Sequence, residues 1–180
     1  PGTLAQLAYV LNSSEARKLA GAEDPVEAGQ AIISRHRADV VVIKRGPWGA
    51  LVCEDDRHEL VPAYETQSIW PIGSGDVFAA VFAARWASEG LSAVEAASQA
   101  SRAAALYVND QVLPILGEEL VSPTTFRFKP LLLHDRPLGS GEFHIYLAGP
   151  FFNISQRWLV EEARLALQGM GLRVFSPFHD

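Results

Sequence analysis

Val40-Val41-Val42-Ile43 is an unbroken run of β-branched apolar residues. A strand with one wet face alternates apolar and polar side chains, so a strand with no polar residue has no wet face. The run therefore calls for a sheet covered on both sides, and the flanking sequence offers helices to cover it. Glu15 to Leu19 reads as a short helix ended by Gly21. Pro25 opens a longer one to about Arg37, with Ala28, Ile32 and Ile33 on one face. Downstream, Gly46-Pro47-Trp48-Gly49 is a turn between the strand and two further strand candidates, Ala50–Cys53 and Glu59–Val61. An Ala-rich helix follows to about Glu89, and after Gly90 another runs from about Ser92 to Val108. Strand–helix alternation of this kind is the signature of an α/β fold.

The texture changes after Asn109. Pro114, Pro123, Pro130 and Pro137 interrupt the chain up to Gly139-Ser140-Gly141, which reads as a linker over 113–142. Periodicity returns in a strand at His144–Leu147, a Gly149-Pro150 turn, a helix from about Ser155 to Gly169 and a strand at Arg173–Phe175. In that helix the sequence places Leu159, Ala163, Ala166, Leu167 and Met170 on one face. The expected domains are thus 1–112 and 143–180. Pro1 without a preceding Met, and Asp180 directly after a strand, suggest that both ends are cuts.

Charge and composition exclude some classes. A net charge of -6 gives no basic face for nucleic acid, and no apolar run nears the roughly 20 residues of a membrane span. Cys53, the single cysteine, rules out an internal disulfide and fits a reducing, cytoplasmic setting. No Walker loop, dinucleotide fingerprint or serine-hydrolase elbow occurs, and the five His show no metal-ligand spacing.

The strongest chemical signal is Gly73-Ser74-Gly75-Asp76 running straight into a helix. Small residues let the backbone close on an anion, and the first-turn N–H groups and the helix dipole favour negative charge there. Asp76 in the same turn can take a proton from an attacking hydroxyl. The same four residues also serve as a plain turn whose aspartate complements the dipole. Asn12-x-x-Glu15 lies upstream at a strand end, where a polar pair can hold a metal's waters. Lys44-Arg45-Gly46-Pro47-Trp48-Gly49-Ala50 lies between them.

Asn-x-x-Glu, then Lys-x-Gly-x-x-Gly-Ala, then Gly-Ser-Gly-Asp, in this order, resembles the PfkB (ribokinase-like) carbohydrate kinase family over about residues 4–112. The resemblance implies an ATP-dependent, Mg2+-requiring phosphotransfer to a hydroxyl of a sugar or nucleoside. It makes Asp76 the catalytic base and Gly73, Ser74 and Gly75 the anion hole. Lys44, Gly46 and Gly49 then border ATP, Asn12 and Glu15 govern the Mg-phosphate network, and Ala96–Val108 flanks adenine. A homodimer is compatible with it. Trp70 stands where the family commonly has an acidic residue, and the family's acceptor-binding half has no counterpart here.

Tyr-Leu-Ala-Gly-Pro-Phe-Phe at 146–152, Arg157-Trp158, and Val174-Phe175-x-Pro177-x-x-Asp180 are similar to the start of nucleoside 2-deoxyribosyltransferases. By that resemblance Tyr146, Gly149, Pro150 and Phe152 touch a nucleoside. The fold expectation is a ribokinase-like three-layer α/β/α portion followed by the first βαβ unit of a flavodoxin/Rossmann-like open parallel sheet. The functional expectation is a kinase fused to a deoxyribosyltransferase-like domain in nucleoside or sugar salvage, this chain alone being inactive. The alternative is a catalytically degenerate nucleotide-binding or scaffold module.

Overall fold

The computed structural model describes residues 6–68, 70, 72–115, 117–122, 124, 126–131, 144–169 and 172–179. The chain divides into two compact units, one within residues 1–133 and the other within 134–180.

In the first unit, β1 (Ala8–Asn12) leads through α1 (Ser13–Ala20) and α2 (Pro25–His36) to β2 (Val40–Lys44). β2 lies parallel to β1 with Asn12 opposite Lys44, so the crossover brings both strand ends to one edge. A 3-10 turn at Gly46–Trp48 then reverses the chain into β3 (Ala50–Glu54), and β4 (Arg57–Val61) returns antiparallel. The sheet order is β1-β2-β3-β4, a mixed sheet. Next come α3 (Ser74–Ala83), a π turn at Ala84–Ser88 and α4 (Ala93–Asp110).

The β-branched run is buried on both faces, as its composition predicts. Val40 and Val42 pack with Ala50, Val52 and Val61 against Phe78, Phe82 and the alanines of α4. Val41 and Ile43 pack on the opposite side with Leu51 and Cys53 against Ala16, Ala28 and Ile32. Helices thus cover both faces, giving three α/β/α layers. Each of the four β2 side chains from Val40 to Ile43 is at most 1% exposed. Burying each contributes roughly 1.5–3 kcal/mol, so β2 anchors the unit.

Cys53 lies under Gly29, where a Cβ would come within 2.5 Å of its Sγ. Burial pushes the Cys53 thiol up to about 11. The unfolded chain releases that proton near the ordinary 9.0, so this contribution to stability is complete below that pH and is lost as pH rises toward 11. Cys53 should therefore resist iodoacetamide at about pH 8 in the folded chain and react on unfolding. Stoichiometric labelling of the native protein would put the thiol at the surface.

Residues 113–131 differ from the expected linker. Here α5 (Glu118–Val121) and its neighbours pack on the first unit, with Leu120, Ile115, Phe126 and Phe128 against Ala103, Leu106, Val77 and Val81. Arg102 Nε donates to Leu120 O at 2.6 Å, and Glu65 N and Leu131 N donate to Lys129 O and Ala63 O. The apolar anchors are spaced without helical or strand periodicity, which is why pattern alone reads a tail.

The second unit is a βαβ unit: β5 (His144–Tyr146), α6 (Ile154–Gly169) and β6 (Arg173–Phe175), with the strands parallel. Its inner face overlaps the expected one only in part, since Ala163 and Leu167 are half-buried. Leu159 is 63% exposed and Ala166 is exposed, whereas Val160 is buried at 5%. Gly149 fits beneath Val160, where a Cβ would lie 2.6 Å from Cγ2. Met170, Asp180 and the expected linker beyond residue 131 lie outside the described residues. Among the described residues no helix is long and apolar enough to cross a membrane.

Candidate active site

The site begins with a difference between helix ends. Asn12, Asp24 and Ser92 cap α1, α2 and α4 with their own side chains, while Gly73 caps α3 with none. Gly73 takes φ 83°, a conformation glycine adopts freely, and its carbonyl receives the amides of Asp76 and Val77 at 3.1 and 3.0 Å. The positive end of the α3 dipole thus meets no side-chain acceptor from its cap. Asp76 sits in this first turn, exposed, and forms no ion pair among the described residues.

Lys44 reaches this loop from the end of β2. Its Nζ donates to Gly75 O at 3.4 Å and lies 3.0 Å from where a Gly75 Cβ would be. Its own carbonyl receives Ser13 Oγ at 3.3 Å. Lys44 therefore spans from the α1 N-terminus to the α3 N-terminus, and the glycine at 75 leaves room for the ammonium. At the first glycine of the loop, Tyr107 Oη lies 2.8 Å from the position of a Gly73 Cβ. Sequence reading passes over Tyr107, because it sits among the alanines of α4 and no local spacing ties it to residue 73.

The other expected site residues are placed as follows. Asn12 and Glu15 form a reciprocal capping box: Glu15 N donates to Asn12 Oδ1 at 2.8 Å, and Asn12 N to Glu15 Oε2 at 2.7 Å. Their first role is thus to start α1, although β1 delivers them to the strand edge shared with Lys44. Gly46 and Gly49 bond to each other through Gly49 N and Gly46 O at 3.0 Å. A Cβ on Gly49 would meet Val61 O at 2.0 Å, so this glycine is required by the neighbouring backbone. Ala96, Ala97, Ala100 and Ala103 are fully buried, and the first three face the sheet. That stripe is core, so any contact of the Ala96–Val108 segment with adenine falls to its other residues.

In the second unit, Tyr146 stacks on Phe175 at 5.8 Å and is 63% exposed, and Phe152 is 91% exposed. Pro150 is exposed in the turn that Gly149 seats against Val160. Phe151 stacks on Phe178 at 5.2 Å, with Arg157 over the same ring. Glu161 is paired with Arg164 at 2.9 Å and His179 at 2.5 Å. The hydrogen bond from Arg164, supported by the charge of His179, holds the Glu161 carboxyl below its ordinary range. The sequence hides this pair because His179 comes from the turn after β6.

The pfkB family carbohydrate kinase profile matches residues 5–112. No curated protein matches the chain. Among solved structures, a point mutant of phosphofructokinase-2 from Escherichia coli is similar at 26% identity and a TM-score of 0.51, over 59% of this chain and 36% of that one. A fructokinase double mutant from Vibrio cholerae O395, bound to fructose, ADP and potassium ion, is similar in fold at 23% identity and a TM-score of 0.50, over 58% and 35%. The chain spans about a third of the length of these structures.

Proposed function

Because this chain belongs to the pfkB family of carbohydrate kinases through residues 5–112, we propose that it carries the nucleotide-binding and catalytic-base part of an ATP-dependent kinase acting on a hydroxyl of a sugar or nucleoside. The observation that carries this reading is the α3 N-terminus without a side-chain cap, with Lys44 lodged at Gly75 and, in its first turn, an Asp76 that forms no ion pair among the described residues. A phosphoryl group needs just such a concentration of N–H donors and positive charge. In the transfer, the acceptor oxygen bonds to the γ-phosphorus, the bond from that phosphorus to the bridging oxygen breaks, and the hydroxyl proton passes to Asp76. Gly73, Ser74 and Gly75 hold the charge on the phosphoryl oxygens, and Lys44 adds its ammonium. Gly46 and Gly49 shape the turn beside the nucleotide.

Mg2+ keeps several waters and takes one or two carboxylates beside substrate phosphates. The Glu15 carboxylate and Asn12 amide at the strand edge fit that share. Among the described residues no group of three or more His, Cys, Asp or Glu could hold a metal by itself. The ion would neutralise phosphate charge, with Asn12 and Glu15 ordering its waters. Glu15→Gln should raise the Mg2+ needed for half-maximal turnover several-fold, and Gln can still complete the capping box, so stability should stay within about 0.5 kcal/mol. An unchanged Mg2+ dependence would leave Glu15 with its capping role alone.

The second unit we read as the start of a nucleoside 2-deoxyribosyltransferase-like domain, with Tyr146, Gly149, Pro150 and Phe152 toward a nucleoside. Support comes from the βαβ unit, whose aromatic rings gather at the carboxyl edge of parallel strands, where such sheets take ligands. Together the two units suggest linked nucleoside or sugar salvage in the cytoplasm. The test offers the intact enzyme γ-labelled ATP and a panel of sugars and nucleosides, reading label on the acceptor. Label on none of them above background would end the kinase reading.

A further inference from the structure

Two glycines of the α3 loop are bounded by polar atoms. A side chain at Gly75 would run into Lys44 Nζ at 3.0 Å, and one at Gly73 into Tyr107 Oη at 2.8 Å. The Tyr107 ring follows its hydroxyl, with Cε1 and Cζ each 3.4 Å from the same point. Tyr107 comes from the last turns of α4, is half-buried, and its hydroxyl has no hydrogen-bond partner among the described residues. Water can reach a half-buried phenol, so this hydroxyl is free to donate to a ligand oxygen that displaces that water. The hydroxyl stands over the bare Gly73 cap at the α3 N-terminus, an end that favours an anion.

We propose that Tyr107 is a phosphate-binding residue, its hydroxyl donating to a phosphoryl oxygen of a nucleotide seated on Gly73–Gly75, with Lys44 at the other glycine of the loop. This rests on the kinase reading of that loop. Lys44 supplies charge and Tyr107 supplies direction: an O–H donor is satisfied along one line, whereas an ammonium attracts from any side. The pair then explains why both positions are glycine. Each lacks a side chain where a polar tip from another element must stand beside the phosphate.

The experiment titrates the full chain and its Tyr107→Phe variant with MgATP and, separately, with adenosine, following backbone amide shifts, which register even millimolar binding. Phe keeps the ring on Gly73 and removes only the hydroxyl. A hydrogen bond to a charged oxygen corresponds to about ten-fold in affinity or more, so the variant should lose about ten-fold for MgATP and nothing for adenosine. The wild-type Tyr107 ring signals should also shift with MgATP and not with adenosine. Equal MgATP affinity in the two proteins, or a parallel loss for both ligands, would overturn the assignment and leave the kinase reading standing. A wild-type chain whose loop amides ignore MgATP at millimolar concentration would overturn the kinase reading, and the role of Tyr107 with it.

Discussion

Asp76→Asn should lower kcat by roughly a hundred- to ten-thousand-fold in the intact enzyme, the range a positioned general base contributes. Asparagine has nearly the same shape and still fits the first turn of α3, so folding is not at stake. The change removes a helix N-terminal carboxylate, which stabilises the helix by about 0.3–1 kcal/mol at most. ATP affinity should hold or improve slightly, because a negative charge near the phosphates has gone while the loop amides and Lys44 remain. Loss of kcat with ATP affinity intact is the pattern of an interaction used only in the transition state. Steady-state kinetics together with a direct nucleotide titration separate the two quantities. A variant that keeps most of its turnover would remove Asp76 from the chemistry and, with it, the mechanism drawn above.

Gly49→Ala should destabilise the first unit by at least about 3 kcal/mol, one of the larger effects a single substitution produces. Gly49 takes φ 79° and ψ −143°, a region essentially closed to residues with a Cβ. The added carbon would sit 2.0 Å from Val61 O, 3.0 Å from Ala63 N and 3.1 Å from Pro62 C. All three are backbone atoms of the strand end that follows the β3–β4 pair, so relief requires moving the chain itself. Gly46 is the internal control: its φ is 58°, yet a Cβ there has nothing within 4 Å. Gly46→Ala should lose only the left-handed penalty of about 1–2 kcal/mol. Thermal melts followed by circular dichroism compare them, and equal melting temperatures would show that the turn adapts more freely than its geometry allows.

How much of this could be read from the chain depends on whether the cause is local. The four β-branched residues of β2 announce their double burial, and Pro25 marks the start of α2 where the structure begins it. Ser92 is legible as a helix start and caps α4. By contrast, the placement of Ile115, Leu120, Phe126 and Phe128 on α3 and α4 depends on contacts between distant segments. On α6 the sequence period allows more than one apolar stripe: it captures Ala163 and Leu167 but not Val160, which is selected by its contact with Gly149. At the loop, the glycines and Asp76 stand out by composition. The approach of Lys44 from β2 and Tyr107 from α4 is set by tertiary geometry. Asn12 and Glu15 illustrate the reverse case: a pair singled out for metal chemistry also satisfies the local grammar of a helix start.

The π turn at Ala84–Ser88 bears on how this architecture tolerates change in length. Glu89 N reaches back to Ala84 O, one residue further than an α-helical bond, so the turn holds a surplus residue. Removing Ala87 would let the segment close into an ordinary helix, with the slack absorbed before α4 begins. A one-residue change in length should be tolerated there, because the turn lies at the end of the helix far from Asp76. The loop at the other end would then keep its place.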